Sequence, residues 1–165
     1  MLDAIILWLH VLAAAIFIGP QVFLAAIAVP ALRTIEDAQV RQRVTRAVTR
    51  GFGWLGGGAL LMLLATGIWN YYDADDKGLI DNDSFPRYFI ALQIKLTLVT
   101  AVLLLTILHG AVFGRRLQRL QEENASEADL AQARQFSMIA SIATLAASVA
   151  ILFCAAIMGS DWSKG

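Results

Sequence analysis

Four apolar runs constrain this chain more than any other feature of its sequence: Ala4 to Val29, Phe52 to Tyr72, Tyr88 to Phe113 and Phe136 to Gly159. Each approaches or exceeds the roughly 20 residues that an α-helix needs to cross about 30 Å of hydrocarbon. Lipid offers no water to satisfy backbone N–H and C=O groups, so a spanning segment must be a helix or part of a closed barrel. Barrel strands read as short alternating segments, whereas these runs are long and continuous. The expected fold class is therefore all-α: an integral membrane four-helix bundle running up-down-up-down. With 58 % hydrophobic residues over 165 positions, the chain is too apolar for an ordinary soluble domain and too short to divide, so residues 1–165 are read as one domain. The first run is roughly twice as long as a signal-peptide h-region and follows the non-basic Met1-Leu2-Asp3, so it is read as a retained helix.

Charge then orients the helices. Thirteen basic and thirteen acidic residues leave no net field, which points away from nucleic acid and from an acidic substrate. Their distribution is uneven. The connections after the first and third runs carry nine of the basic residues, while the termini and the middle connection carry three and most of the acids. By the positive-inside rule, both termini are expected on the non-cytoplasmic side.

The connecting segments carry further expectations. Gly19-Pro20 removes a backbone donor and should bend the first helix, which ends near Pro30. Ala31 to Gly51 holds Arg33, Arg41, Arg43, Arg46 and Arg50, and is read as a short interfacial helix whose face binds lipid headgroups. Gly53 and Gly56 to Gly58 permit close helix packing, and Trp69 to Tyr72 form an aromatic belt at the interface. Asp83 or Ser84 before Pro86 marks the start of the third helix, which continues as a polar helix towards Glu123. A break near Asn124-Ala125-Ser126 precedes Glu127 to Gln135. In the last run Ser137, Ser141, Thr144 and Ser148 share one face, expected to point inward.

Against this background His10 needs an explanation, because an ionisable side chain inside a spanning segment is by default a functional-site hypothesis. A rise of about 1.5 Å per residue converts sequence position into depth: His10 falls roughly 10 Å to the outer side of its helix midpoint, level with Trp69, Asn70, Lys95 and Cys154. His109 falls about 21 Å further in than Lys95, so the two histidines cannot clamp one metal ion or one haem. Lys95, Val99, Val102, Thr106 and His109 share one helix face, as do His10, Ala14, Phe17 and Gln21. If both faces look inward, an outer polar site contains His10 and Lys95. A structural His10 would instead be held by Asn70, a serine hydroxyl or a backbone carbonyl, and His109 reads as an interfacial residue near the basic connection. The single Cys154 excludes an internal disulfide, and no Cys-x-x-Cys pair is present for zinc, an iron–sulfur cluster or covalent haem. No Ser/His/Asp set or carboxylate pair lies within the membrane, so hydrolase chemistry is not indicated.

Trp8-Leu9-His10, with Gly19 nine positions on and then Pro30-Ala31-Leu32-Arg33, resembles the first helix of CopD-type copper-resistance membrane domains. Gln93-Ile94-Lys95-Leu96, continuing apolar to His109-Gly110 and Arg115-Arg116, resembles the third helix of HemJ-like proteins, which share the four-helix plan. The resemblance covers most of the transmembrane part. It implies a bacterial inner (plasma) membrane location and a functional pair of first-helix histidine and third-helix lysine, which fall on His10 and Lys95. It also implies b-type haem or copper near His10.

Three readings follow. The leading one is a b-haem redox protein, with His10 as axial ligand and Lys95, Trp69 and Asn70 beside the cofactor. It would transfer electrons or oxidise a small lipophilic substrate. The second is copper handling by His10 with Cys154 or Met158. The third is a cofactor-free subunit packed into a larger membrane complex. The partners expected are the lipid bilayer, with a membrane redox protein or a second copy of the chain.

Overall fold

The computed structural model describes residues 1–81, 84–108, 119 and 126–160, and every regular element among them is helical. In chain order these are α1 (Leu2–Phe23), a π-helical turn (Leu24–Ala28), α2 (Val29–Arg33), α3 (Ala38–Asp76), α4 (Pro86–Leu108) and α5 (Glu127–Met158). Four helical runs, Leu2–Arg33, Ala38–Asp76, Pro86–Leu108 and Ala128–Met158, are long and apolar enough to cross a membrane. Their outward faces are apolar too, with Leu61 70 % and Phe153 67 % exposed. Water would leave such surfaces without a favourable partner, whereas lipid tails cover them. This is the architecture of a multi-pass membrane protein.

The first helical run keeps Gly19-Pro20 inside a continuous helix. Pro20 lies inside α1, which continues three residues past it, and the irregularity comes one turn later as the π-turn. Pro20 and Pro30 each remove the N–H that would bond the carbonyl four residues back, those of Ile16 and Ala26. The wider turn falls between the two deletions, and Pro30 itself sits in the first turn of α2, where a missing donor costs least.

A second difference concerns the arginine-rich segment. The expected interfacial helix is not separate: it forms the first third of α3, which runs unbroken for 39 residues. Asp37 starts that helix by accepting from the backbone N–H groups of Gln39 (2.8 Å) and Val40 (3.1 Å). Gly51, Gly53 and Gly56 to Gly58 do not interrupt it, because backbone hydrogen bonds that leave the helix in lipid find no replacement in water. At about 58 Å, α3 is roughly twice the hydrocarbon thickness, so one end extends well beyond it. Its far end overruns the aromatic belt to Asp76 and closes at Gly78, whose φ of +68° turns the chain so that the Leu79 N–H reaches back to the Ala74 carbonyl (3.0 Å), beside the Gly78 N–H on the Asp75 carbonyl (2.8 Å).

α4 opens on Pro86. Its expected continuation towards Glu123, with His109, Arg115 and Arg116, lies outside the described residues. α5 is capped by Ser126, which accepts from the Asp129 N–H at 3.2 Å, and runs through Glu127 to Gln135 into the last apolar run without a break.

The chain divides into two compact units, Met1–Leu79 and Ile80–Gly165. In the first, α1 and α3 pack antiparallel: His10 meets Thr66 near one end, and the rings of Phe23 and Phe52 lie 6.3 Å apart towards the other. The connection between them is short and stitched. Thr34 donates to the Ala31 carbonyl (2.8 Å), and Arg41 reaches over the turn to the Ile35 carbonyl (2.7 Å). In the second unit α4 packs on α5 through Ala91, Leu92 and Val102 of α4 and Ala133, Ala140, Ser148 and Cys154 of α5, all buried. The hydroxyl row of α5 is only partly inward. Ser148 is 2 % exposed, but Ser141 faces outward. Ser141, Thr144 and Ser148 each donate to the carbonyl four residues back in their own helix, so they act as small, self-satisfied packing residues.

Candidate functional site

The side chains that α1 buries against α3 are Ala13 and Phe17, with His10 and Gln21 half-buried on the same face. α3 answers with Ala59, Thr66 and Ala74, one residue about every two turns. Small residues at this seam bring the two backbones close, and His10 is the large polar group that has to fit between them. Gly67 faces the ring: a methyl added there would sit 3.4 Å from His10 Cε1 and 4.0 Å from Nδ1. The imidazole edge therefore packs beside the α3 backbone with room for a methyl at ordinary contact distance.

The ring is held by Thr66, whose Oγ1 is 2.8 Å from His10 Nδ1. Which of the two donates follows from the threonine's other contact. A hydroxyl has one proton, and Thr66 Oγ1 lies 2.6 Å from the Met62 carbonyl oxygen, which can only accept. The hydroxyl proton therefore goes to Met62, and the hydroxyl oxygen accepts from His10. His10 Nδ1 must then carry the hydrogen, which places the neutral ring's lone pair on Nε2. Thr66 on α3 thus orients the ring and favours the Nδ1–H tautomer, the arrangement that outer-shell partners give to ligating histidines.

Asn70 is half-buried one turn beyond Thr66 on the same face, and Trp69 is 45 % exposed at its flank. Thr66 itself is absent from the candidates drawn from the sequence. Its signal there was a lone hydroxyl beside a glycine, Thr66-Gly67, within the otherwise aliphatic Leu60 to Ile68.

The remaining candidates belong to the second unit. Lys95 is half-buried on the α4 face that carries Ala91, Leu92 and Val102, within electrostatic reach of the buried Cys154 of α5. Met158, half-buried, follows Cys154 by one turn on that helix. Among the described residues no three His, Cys, Asp or Glu side chains gather in a way that could hold a metal ion. His109 lies outside the described residues.

Comparison with protein-family models, curated proteins and solved structures returns no match.

Proposed function

We propose that this chain is an inner-membrane redox protein of bacterial type that binds a b-type haem through Nε2 of His10. The observation that carries the reading is the pair of contacts at Thr66 Oγ1, 2.8 Å from His10 Nδ1 and 2.6 Å from the Met62 carbonyl oxygen, from which we infer the tautomer with its lone pair on Nε2. The donor set favours haem over a bare ion. A porphyrin supplies four nitrogens of its own and asks the protein for one or two axial groups, whereas an ion held by protein alone needs several donors together. Bound haem supplies one-electron chemistry to the site. The chain's part is to orient the imidazole, keep water from it with the apolar faces of α1 and α3, and offer the indole of Trp69 and the amide of Asn70 nearby. Electron transfer and oxidation of a small lipophilic substrate are both open to such a site.

A second reading is supported by one specific observation: Cys154 and Met158 are sulfur donors one turn apart on α5, the softness that copper(I) prefers. Absorption spectra and metal analysis of the purified chain separate the two. The haem reading expects a Soret band that disappears in His10→Ala and survives in His109→Ala. Bound copper without that band favours the second reading. Neither signal leaves the cofactor-free subunit.

A further inference from the structure

At the hairpin end of the first unit, the α1–α3 seam opens into a groove of about 580 Å³, within the size range of small-molecule sites. Phe23, Leu32, Val44, Val48, Phe52 and Leu55 form most of its wall, and the remaining lining residues are Ala, Ile and Gly. A wall without polar side chains fits a saturated chain and offers no donor to a carbonyl-bearing ring. The groove also straddles the end of the second apolar run: Phe52 and Leu55 belong to the run, and Val44 and Val48 lie beyond it. That is the level at which acyl chains meet headgroups.

The charge sits where a headgroup would be. Arg43, Arg46 and Arg50 occupy the α3 face next to the groove, and Ala47 lines both the groove and the depression between these arginines. Among the described residues none of the three is paired with a carboxylate. The nearest acids in sequence are Glu36 and Asp37, and the Asp37 carboxylate already caps α3. Arg41 has a different task, since it is bonded to the Ile35 carbonyl across the turn. An apolar slot with an uncompensated cationic rim matches an anion carrying a hydrocarbon tail.

We propose that this end of the hairpin binds an anionic phospholipid, with an acyl chain in the groove and its phosphate on Arg43, Arg46 and Arg50. The site is independent of His10 and of any cofactor. Gly51 gives a clean test because it lines the groove and a Cβ there meets nothing within 4 Å, so Gly51→Leu fills the slot without disturbing the fold. Gly57→Leu adds the same bulk to open space outside the groove and serves as control.

Native mass spectrometry of the full chain in nonionic micelles compares phosphatidylglycerol with phosphatidylcholine of identical chains, and with glycerol phosphate as chainless competitor. Phosphatidylglycerol should be retained preferentially, and each arginine replaced by glutamine should weaken it about fivefold. Gly51→Leu should lower retention of phosphatidylglycerol about as far as the triple arginine variant does, with Gly57→Leu unchanged and helicity intact in all. Equal retention of both lipids, unaltered binding in Gly51→Leu, or full displacement by glycerol phosphate overturns the proposal. So does a dimer that Gly51→Leu dissociates, since a second copy would then fill the groove.

Discussion

At the residue scale, Thr66 converts a histidine on a helix face into one with a single tautomer. Thr66→Val keeps the shape and removes both the acceptor for His10 Nδ1–H and the link to the Met62 carbonyl. Losing such an outer-shell partner typically costs 10- to 100-fold in affinity at a ligating histidine. On the proposed haem reading, haem retention during dialysis should fall by about that factor in Thr66→Val and stay near the original in Thr66→Ser. Gly67 gives a graded companion test. The methyl of Gly67→Ala would lie at ordinary contact distance from the ring, whereas Gly67→Leu has to displace it. The spectrum should be preserved in the first and lost or shifted in the second. His10 was legible in the sequence because an imidazole in an apolar span stands out. Thr66 was not, because a lone hydroxyl on a lipid-spanning helix usually satisfies itself on its own backbone, as Thr97, Thr100 and Thr106 do here.

At the element scale, the length of α3 explains why the partner was missed. Depth counted from the midpoints of the apolar runs Ala4 to Val29 and Phe52 to Tyr72 sets His10 level with Trp69 and Asn70. The turn before α3 lies at Thr34 to Asp37, and His10 meets Thr66, about one helical turn nearer that connection. The composition change at Gly51 is real, but it marks where α3 leaves the apolar region rather than where the helix stops. Glycines within α3 are tolerated and not required. Gly57→Ala, with open space at the new methyl, should stabilise the chain by up to about 1 kcal/mol in a denaturant titration of helicity. Gly78→Ala should destabilise it by about 1–2 kcal/mol in the same titration, since its φ of +68° closes α3 in a conformation that alanine resists. The π-turn was legible only as two prolines ten residues apart; which turn widens between them depends on packing that a single sequence does not display.

On the scale of the whole molecule, the helical elements among the described residues, four of them long and apolar enough to cross a membrane, followed from run length alone, because hydrocarbon thickness leaves few alternatives. The placement of arginines predicts an orientation. A reporter fused after Gly165 should show a non-cytoplasmic terminus, and one inserted in the Thr34 to Asp37 turn a cytoplasmic one. Replacing Arg33, Arg43, Arg46 and Arg50 by glutamine should populate the inverted orientation. The opposite pattern from the unmodified chain would contradict the proposed orientation, on which the outer-side depth of His10 rests.

The most direct measurement is nitrogen-15 NMR of the His10 ring in lipid, on a His109→Gln chain prepared without added cofactor. The expected spectrum shows a neutral ring protonated at Nδ1 and unprotonated at Nε2, with that preference lost in Thr66→Val. A ring protonated at Nε2, or a preference that Thr66→Val leaves in place, would contradict the claim that α3 presents Nε2 of His10 as a ligand.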